Sequence, residues 1–441
     1  MTSALNTQQQ AALDAVVAGR NIFLTGAGGT GKSHTIRAIT AWALNKGIRV
    51  AVTAMTGCAA LLLNADDTKG PKRAKTLHSW AGVGLGREAP HELAAIIEKN
   101  RRAKSRWVMT QLLIVDEISM MMADFLEKLD FVARRLRRSP DKRFGGLQIV
   151  FAGDFCQLPP VSKETIHYVF ESPIWSTLLD ESHYLTQIVR QTDPVFQRIL
   201  TEARMGSLTA ESLAILETRK GLPWQDNEIR PTLLFTRNAE VDTINRKNME
   251  ALDGERRTFE AKTVVTTTTT ATASSHMDPE IQRGLAKLDA DAPYSPMLEL
   301  CVGAQVMLLT NMNQEQGLVN GSRGIVTGYS PGGLPLVRFL GFTDPVLVDR
   351  AHWWLADHDT IGRSQIPLKV AYAITIHKSQ GATLDSALID IGSRTFEYGQ
   401  AYVALSRCRS LEGLYVWSLD PTRIICHPAV KKFYDGLRTT C

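Results

Sequence analysis

Short continuous apolar runs punctuate the first part of the chain, at Ile22–Thr25, Ile48–Ala54, Leu112–Val115 and Leu147–Ala152. They are too short for stable helices and lack polar alternation, so each predicts a strand buried on both faces. Between them the apolar positions change to helical spacing. Thr35–Asn45 is helix-compatible and stops at Gly47. Met122–Arg138 places Phe125, Leu129, Val132 and Leu136 on one face, which predicts a core-facing stripe. Arg134, Arg135, Arg137 and Arg138 then read most simply as a solvated face. Ala11–Val17 is a further helix, with Asn6 or Thr7 as its N-cap. Strands alternating with helices in this way predict a parallel α/β sheet.

After about residue 185 the pattern begins again. Pro194–Arg204, Ala210–Thr218 and Asn238–Leu252 are helical, and Thr232–Thr236 is a strand. Thr263–Ser275 is low in complexity and reads either as an exposed strand or as a mobile loop. Short β-runs follow at Leu298–Val302, Gln305–Leu309, Gly324–Tyr329 and Leu334–Phe339, with turn signals at Asn320-Gly321 and Pro331-Gly332-Gly333. They predict a small barrel inserted into the second α/β unit. Buried strands return at Ile366–Ile376, Leu384–Ile391 and Gly413–Trp417, with a helix at Tyr398–Leu405 and a closing helix from His427. The expected fold class is therefore α/β, with two RecA-like parallel-sheet domains. The expected boundaries are 1–182 for the first domain, 183–250 and 366–441 for the two parts of the second, and 251–365 for the inserted domain.

Composition changes this picture little. A net charge of +5 over 441 residues permits a polyanionic partner without arguing for one. The cysteines Cys58, Cys156, Cys301, Cys408, Cys426 and Cys441 form no C-x-x-C pair, so neither a zinc site nor a disulfide framework is expected, and a reducing compartment is. No basic segment followed by an apolar run marks a secretion signal, and no apolar run reaches the roughly 18 residues of a membrane span.

Chemistry gathers where predicted strands end, the edge at which open α/β sheets bind ligands. Gly26-Ala27-Gly28-Gly29-Thr30-Gly31-Lys32-Ser33, followed by His34, fits G-x-x-x-x-G-K-[ST] between a strand and a helix. Such a loop curls backbone N–H groups around phosphate oxygens, Lys32 reaches the β/γ-phosphates of ATP, and the Ser33 hydroxyl ligates Mg²⁺. The motif occurs once, so the second unit is expected to bind no nucleotide of its own. Leu112–Val115 ends in Asp116 and Glu117, which suit a metal-holding carboxylate and a water-polarising one; the plain alternative is a helix cap. Gln157, past the end of Leu147–Ala152, is placed to sense a γ-phosphate. Gln9 reads either as an adenine-contacting amide or as part of a solvated glutamine run. Arg190 and Arg407 are placed to reach the γ-phosphate from the second unit, and either alone would pass for a surface cation. Thr56 and Gly57 lie in a small-residue segment suited to close ligand approach, and His78 and Trp80 in a glycine-flanked segment that could stack on bases or sit in the core.

Several longer runs carry a resemblance. Glu117–Met120 (EISM), Lys128–Arg134 (KLDFVAR), Phe144–Val150 (FGGLQIV) and Gly153–Val161 (GDFCQLPPV) are similar to the signature of the Pif helicases, 5′→3′ DNA helicases of superfamily one, B branch. Thr76–Gly86 (TLHSWAGVGLG), Val302–Met307 (VGAQVM), Leu318–Gly324 (LVNGSRG), Ala373–Leu384 (AITIHKSQGATL) and Tyr402–Arg407 (YVALSR) also match. The resemblance extends from Leu5 to about Trp417 and is weak only around 250–296 and 340–365. It implies a bare helicase core without an N-terminal extension, a Src-homology-three-like barrel within 297–340, and a small strand-splitting wedge near 63–75.

The same resemblance implies roles. Gln9 contacts adenine, Lys32 and Ser33 contact phosphate and Mg²⁺, Asp116 holds the metal, Glu117 activates water, and Gln157, Arg190 and Arg407 contact the γ-phosphate. Thr56, His78, Trp80, His377 and Ser379 line the single-strand track. The implied activity is ATP-dependent 5′→3′ movement on single-stranded DNA with unwinding at duplex junctions, in replication, repair, recombination or telomere maintenance. RNA–DNA hybrids and G-quadruplexes are implied as further substrates, and a monomer as the working form. A cytoplasmic setting, on the nucleoid or in a phage-infected cell, is expected for a prokaryotic or viral source. An ATP-gated single-strand clamp without unwinding is the rival reading. A phosphoryl-transferring kinase fits less well, given Glu117 and the two distant arginines.

Overall fold

In a computed structural model, residues 4–63, 74–160, 165–224, 229–266, 279–313, 316–355 and 358–438 are described. Most of the wedge expected near 63–75, and the Thr-rich stretch beyond Thr266, lie outside them.

Ile22, Phe23 and Leu24 have no exposed surface. Their strand, Ile22–Gly26, runs inside a six-stranded sheet in the order Lys75–Thr76, Val50–Ala54, Leu112–Asp116, Gln148–Gly153, Ile22–Gly26, Glu181–Leu185. Every pairing is parallel. The four expected strands are all present, and the two edge strands are additions. Glu181–Leu185 is half-polar and only partly buried, which is why its sequence carries no continuous apolar run. It straddles residue 182, where the first domain was expected to end.

Helix Ala123–Leu136 buries Phe125, Leu129, Val132 and Leu136 as its spacing predicts. Its arginines are not simply solvated. Arg137 donates to the carbonyls of Gly145 (2.9 Å), Trp107 (2.8 Å) and Thr110 (2.9 Å), and Arg134 pairs with buried Asp130 at 2.8 Å. Unsatisfied carbonyls at helix and loop ends recruit them, a demand that periodicity does not reveal.

The second sheet is also parallel, in the order Ala373–Thr375, Thr232–Phe235, Ala387–Ile391, Leu414–Leu419. Between its strands lies a β-rich insertion. Val346–Leu347, Pro335–Phe339, Arg323–Tyr329, Gln305–Leu308 and Leu368–Val370 form an antiparallel sheet. Met297–Cys301 does not join it, as a barrel of consecutive strands would require, but pairs with Arg256–Glu260. Both sheets still enclose one apolar core that includes Phe259, Leu300, Val306, Val337 and Phe339. Lys262–Val265 is a strand in a third small sheet with Ala351–Leu355 and His358–Gln365, so the start of the Thr-rich stretch is extended.

The apolar run 366–376, expected as one strand, is divided. Leu368–Val370 completes the insertion, and three residues later Ala373–Thr375 enters the second sheet. Arg323 holds the insertion to that sheet. It forks onto Asp385 at 2.8 and 3.1 Å and also bonds Ser386 and the Arg230 carbonyl. Helix Pro428–Arg438 leaves the second sheet and packs on the first. Phe433 meets Phe23, Phe155, Phe170 and Trp175, and the Tyr434 hydroxyl lies 2.8 Å from Thr25 Oγ1.

Candidate nucleotide site and nucleic-acid face

Three adjacent strands end side by side at one sheet edge: Leu112–Asp116, Gln148–Gly153 and Ile22–Gly26. The glycine loop leaves the last of them and opens helix Lys32–Asn45. Gly31 caps that helix in the left-handed region (φ 89°), and a side chain there would collide with the Gln9 amide.

A cleft of about 640 Å³ opens above this edge. Gly28, Gly29, Gly31, Lys32, Ser33 and His34 line it from the loop, and Asp116, Glu117 and Gln157 from neighbouring strand ends. Arg190, Arg407 and Arg409 line it as well. Arg190 follows strand Glu181–Leu185 of the first sheet and its backbone N–H donates to the Gly29 carbonyl at 3.2 Å, so contrary to expectation it adjoins the loop, whereas Arg407 comes from the second lobe. Residues far apart in sequence are thus brought to one cavity. Gly26, Ala27 and Thr30 form the loop's underside and do not face it. The Gly26 and Ala27 carbonyls accept from Lys32 Nζ at 2.7 and 3.1 Å, and Thr30 Oγ1 donates to the Ala27 carbonyl.

Gln9 is 5% exposed, not part of a solvated run. Its Oε1 accepts from the Asn6 amide at 3.1 Å, and its Nε2 donates to the Thr30 carbonyl at 3.2 Å. It therefore braces the loop from below, with both ends of its amide engaged, and Asn6 is the N-cap of helix Thr7–Val17.

Electrostatics in the cleft are dominated by burial. Desolvation lowers Lys32, opposed by Asp154, Glu117 and Asp116. It pushes Asp116 up to about 7, with the neighbouring Glu117 adding to the rise. Glu117 is raised as well, against the pull of Lys32, Arg407 and a hydrogen bond from Gln380. Glu117 has φ 56°, ψ 43°, a left-handed backbone uncommon for a non-glycine residue and characteristic of strained functional positions. Burial and the adjacent Arg407 push Arg190 down to about 9, and burial lowers Arg407. Neighbouring desolvated cations favour an anion beside them.

Beneath the cleft Asp154 is fully buried and forks onto Arg204 at 2.7 and 3.0 Å. Burial alone would raise the Asp154 carboxyl, but Arg204 outweighs it and holds it below the ordinary range. The hydroxyls of Tyr402 and Tyr434 also reach Asp154, at 3.4 and 3.2 Å. None of these four was assigned a role from sequence. Asp154 and Tyr402 fall inside matched motifs, whereas Arg204 and Tyr434 carry no local signal.

The nucleic-acid candidates separate into two groups. Thr56 and Gly57 begin a helix that approaches the segment after His377, where Leu62 abuts Gly381. His377 is half-buried and Lys378 beside it is exposed. His78 is half-buried, stacked on Phe125 with ring centroids 4.6 Å apart. Trp80 and Ser379 differ from expectation. Trp80 is 3% exposed and packs on Trp107 at 4.6 Å, so no ring face is open to a base. Its own carbonyl and that of Ala81 are taken by Arg106 and the Trp107 indole, which fixes the whole segment inward. Ser379 is fully buried, and its hydroxyl donates to the Ile376 carbonyl at 2.7 Å.

One phosphate loop in a parallel sheet, sharing a cleft with Arg407 from beside a second parallel sheet, defines a two-lobed, RecA-like P-loop protein. The model of PIF1-like helicases matches residues 4–207, and that of the DNA helicase Pif1 2B domain matches residues 285–329. The chain belongs to the PIF1-like helicase family. It is 39% identical over 439 residues to the ATP-dependent DNA helicase PIF1 of Danio rerio, covering 98% of this chain and 64% of that one. Thus the chain spans a little under two thirds of that relative's length. The crystal structure of Pif1 helicase from Candida albicans superposes with a TM-score of 0.75 at 33% identity, over 98% of this chain and 99% of the other. Bacteroides Pif1 superposes in complex with ADP-AlF4 (TM-score 0.79, 28% identity, 99% and 98% covered) and bound to single-stranded DNA (0.63, 29%, 99% and 98%). Among the described residues no helix is long and apolar enough to cross a membrane.

Proposed function

We propose that the chain is an ATP-dependent DNA helicase that translocates 5′→3′ on single-stranded DNA and unwinds duplex at junctions. The observation that carries this reading is the cleft itself, with Lys32 and Arg190 at the glycine loop and Arg407 from the second lobe, all desolvated. A polyphosphate laid along the glycine loop would meet all three cations. The relatives' names, and the Bacteroides protein's complexes with a nucleotide analogue and with single-stranded DNA, point the same way. Polarity rests on family membership.

In this reading the loop amides and Lys32 hold the β- and γ-phosphates, and Glu117 orients the attacking water. Gln157 contacts the γ-phosphate from the same lobe, Arg190 from beside the loop, and Arg407 from the other lobe. Mg²⁺ fits the Ser33 hydroxyl and the Asp116 carboxylate, hard oxygen donors at one edge of the cleft, where burial and the neighbouring Glu117 raise Asp116. When bound it neutralises charge on the phosphates. Loss of the γ-phosphate frees the arginines, and the lobes part and grip the strand alternately. Lys378, exposed beside His377, and Lys369, which burial and then Lys378 push down to about 8, supply positive charge for the phosphate backbone, so binding is salt-sensitive and indifferent to sequence. RNA–DNA hybrids and G-quadruplexes are further candidate substrates, and a monomer the proposed working form.

The test is strand displacement on partial duplexes bearing a 5′ or a 3′ tail, with ATP turnover followed in parallel. Displacement from the 5′ tail, DNA-stimulated turnover and loss of both in Lys32→Ala are expected. Turnover without displacement from either tail would favour the ATP-gated clamp, and wild-type turnover in Lys32→Ala would overturn the site.

A further inference from the structure

The helix that leads to Arg407 touches the phosphate loop through a single hydroxyl. On helix Gln400–Leu405, Tyr402 is 2% exposed, and its hydroxyl accepts the backbone N–H of Gly28 at 2.7 Å. The same hydroxyl donates toward Asp154 Oδ2 at 3.4 Å, so it bridges the loop to the strand end that precedes Gln157. Tyr402 and Ser406 occupy one helical face, and both lie 3.5 Å from where a side chain on Gly28 would begin. Ser406 Oγ in turn accepts from Arg407 Nη2 at 2.8 Å, and Arg407 Nε donates back to the Val403 carbonyl at 3.0 Å. A short chain of bonds thus runs from Gly28 through the Tyr402 helix to the Arg407 guanidinium.

We propose that Tyr402 is a positioning residue that registers the Arg407 helix against the phosphate loop, so that the arginine is aligned only when the loop is. The proposal rests on the nucleotide-hydrolysing reading of the cleft. Tyr402 touches no reacting atom; it sets where Arg407 stands. Glycine at position 28 leaves a bare N–H for the phenol, and Asp154, anchored by Arg204, orients the hydroxyl proton away from the loop. The tyrosine therefore serves as acceptor to Gly28, a role that phenylalanine cannot fill.

The test is steady-state ATPase of Tyr402→Phe, alone and combined with Arg407→Ala, in the full chain with single-stranded DNA present. One lost hydrogen bond predicts a roughly five- to tenfold fall in kcat with KM for ATP within about twofold. In the Arg407→Ala background the Phe substitution is expected to change kcat by less than about twofold, since the residue it positions is gone. Unchanged kcat in Tyr402→Phe, a rise in KM alone, or a loss that multiplies fully with Arg407→Ala would each overturn the proposal. Parent chain without ATPase would instead overturn the reading of the cleft.

Discussion

Gln380 Nε2 donates to Glu117 Oε2 at 2.9 Å, across 263 residues of sequence and between the two lobes. Glu117 is the carboxylate proposed to orient water, so its position depends on a residue of the other sheet. Gln380→Ala is expected to lower ATPase kcat roughly ten- to a hundredfold, the range for a lost hydrogen bond to a charged group, with little change in KM. Equal kcat in the variant would show that Glu117 is held by its own backbone alone.

Arg407→Ala is expected to bind nucleotide within a few-fold of the parent and to turn it over roughly 10³-fold or more slowly, as loss of an arginine contact to the γ-phosphate does. Equilibrium titration with a fluorescent ATP analogue and single-turnover hydrolysis separate the two. A large affinity loss with normal turnover would contradict the assignment.

Trp80 belongs to the core, so Trp80→Ala is expected to cost about 3–5 kcal/mol of stability, measured by urea denaturation. Single-strand affinity of the folded fraction is expected to stay within about twofold. A tenfold loss of affinity without destabilisation would return the residue to the DNA track.

Asp154 is held below the ordinary aspartate value of 3.8, because Arg204 outweighs the effect of burial. Its stabilising contribution is present above that value and lost as pH falls through the depressed folded value. Asp154→Asn leaves Arg204 buried without its charge partner and is expected to cost about 3–5 kcal/mol at pH 7. The gap between parent and variant in urea midpoint should narrow below pH 4. A gap independent of pH would mean that the pair contributes through shape rather than charge.

Much of this fold is local in origin. The apolar run at Ile22, the glycine loop and the carboxylates after Val115 each lie within a few residues, and each is where the spacing predicts. What escaped is set by distant partners. Trp80 reads from its own segment as either a base-stacking ring or a core residue, and only Trp107 decides for the core. Residues 366–376 read as one strand because both halves are apolar, and only the two sheets that claim them divide the run. Arg137 looks solvated until the carbonyls of Trp107, Thr110 and Gly145 converge on it. Arg204 and Tyr434 have no motif, because their partner, Asp154, lies at least 50 residues away.

The contact between Thr25 and Tyr434 spans 409 residues. The strand that feeds the phosphate loop is made early, yet the aromatic ring packed beneath it is among the last parts of the described chain to leave the ribosome. During synthesis the first lobe must wait with Phe23 and Phe155 only partly covered, by Trp175 and its neighbours, while the insertion and the second sheet emerge. Closure over such a distance is slow, and apolar surface left waiting invites aggregation. Assembly of the nucleotide site is thereby tied to completion of both lobes, so a nascent fragment ending before Phe433 carries the loop but not its floor.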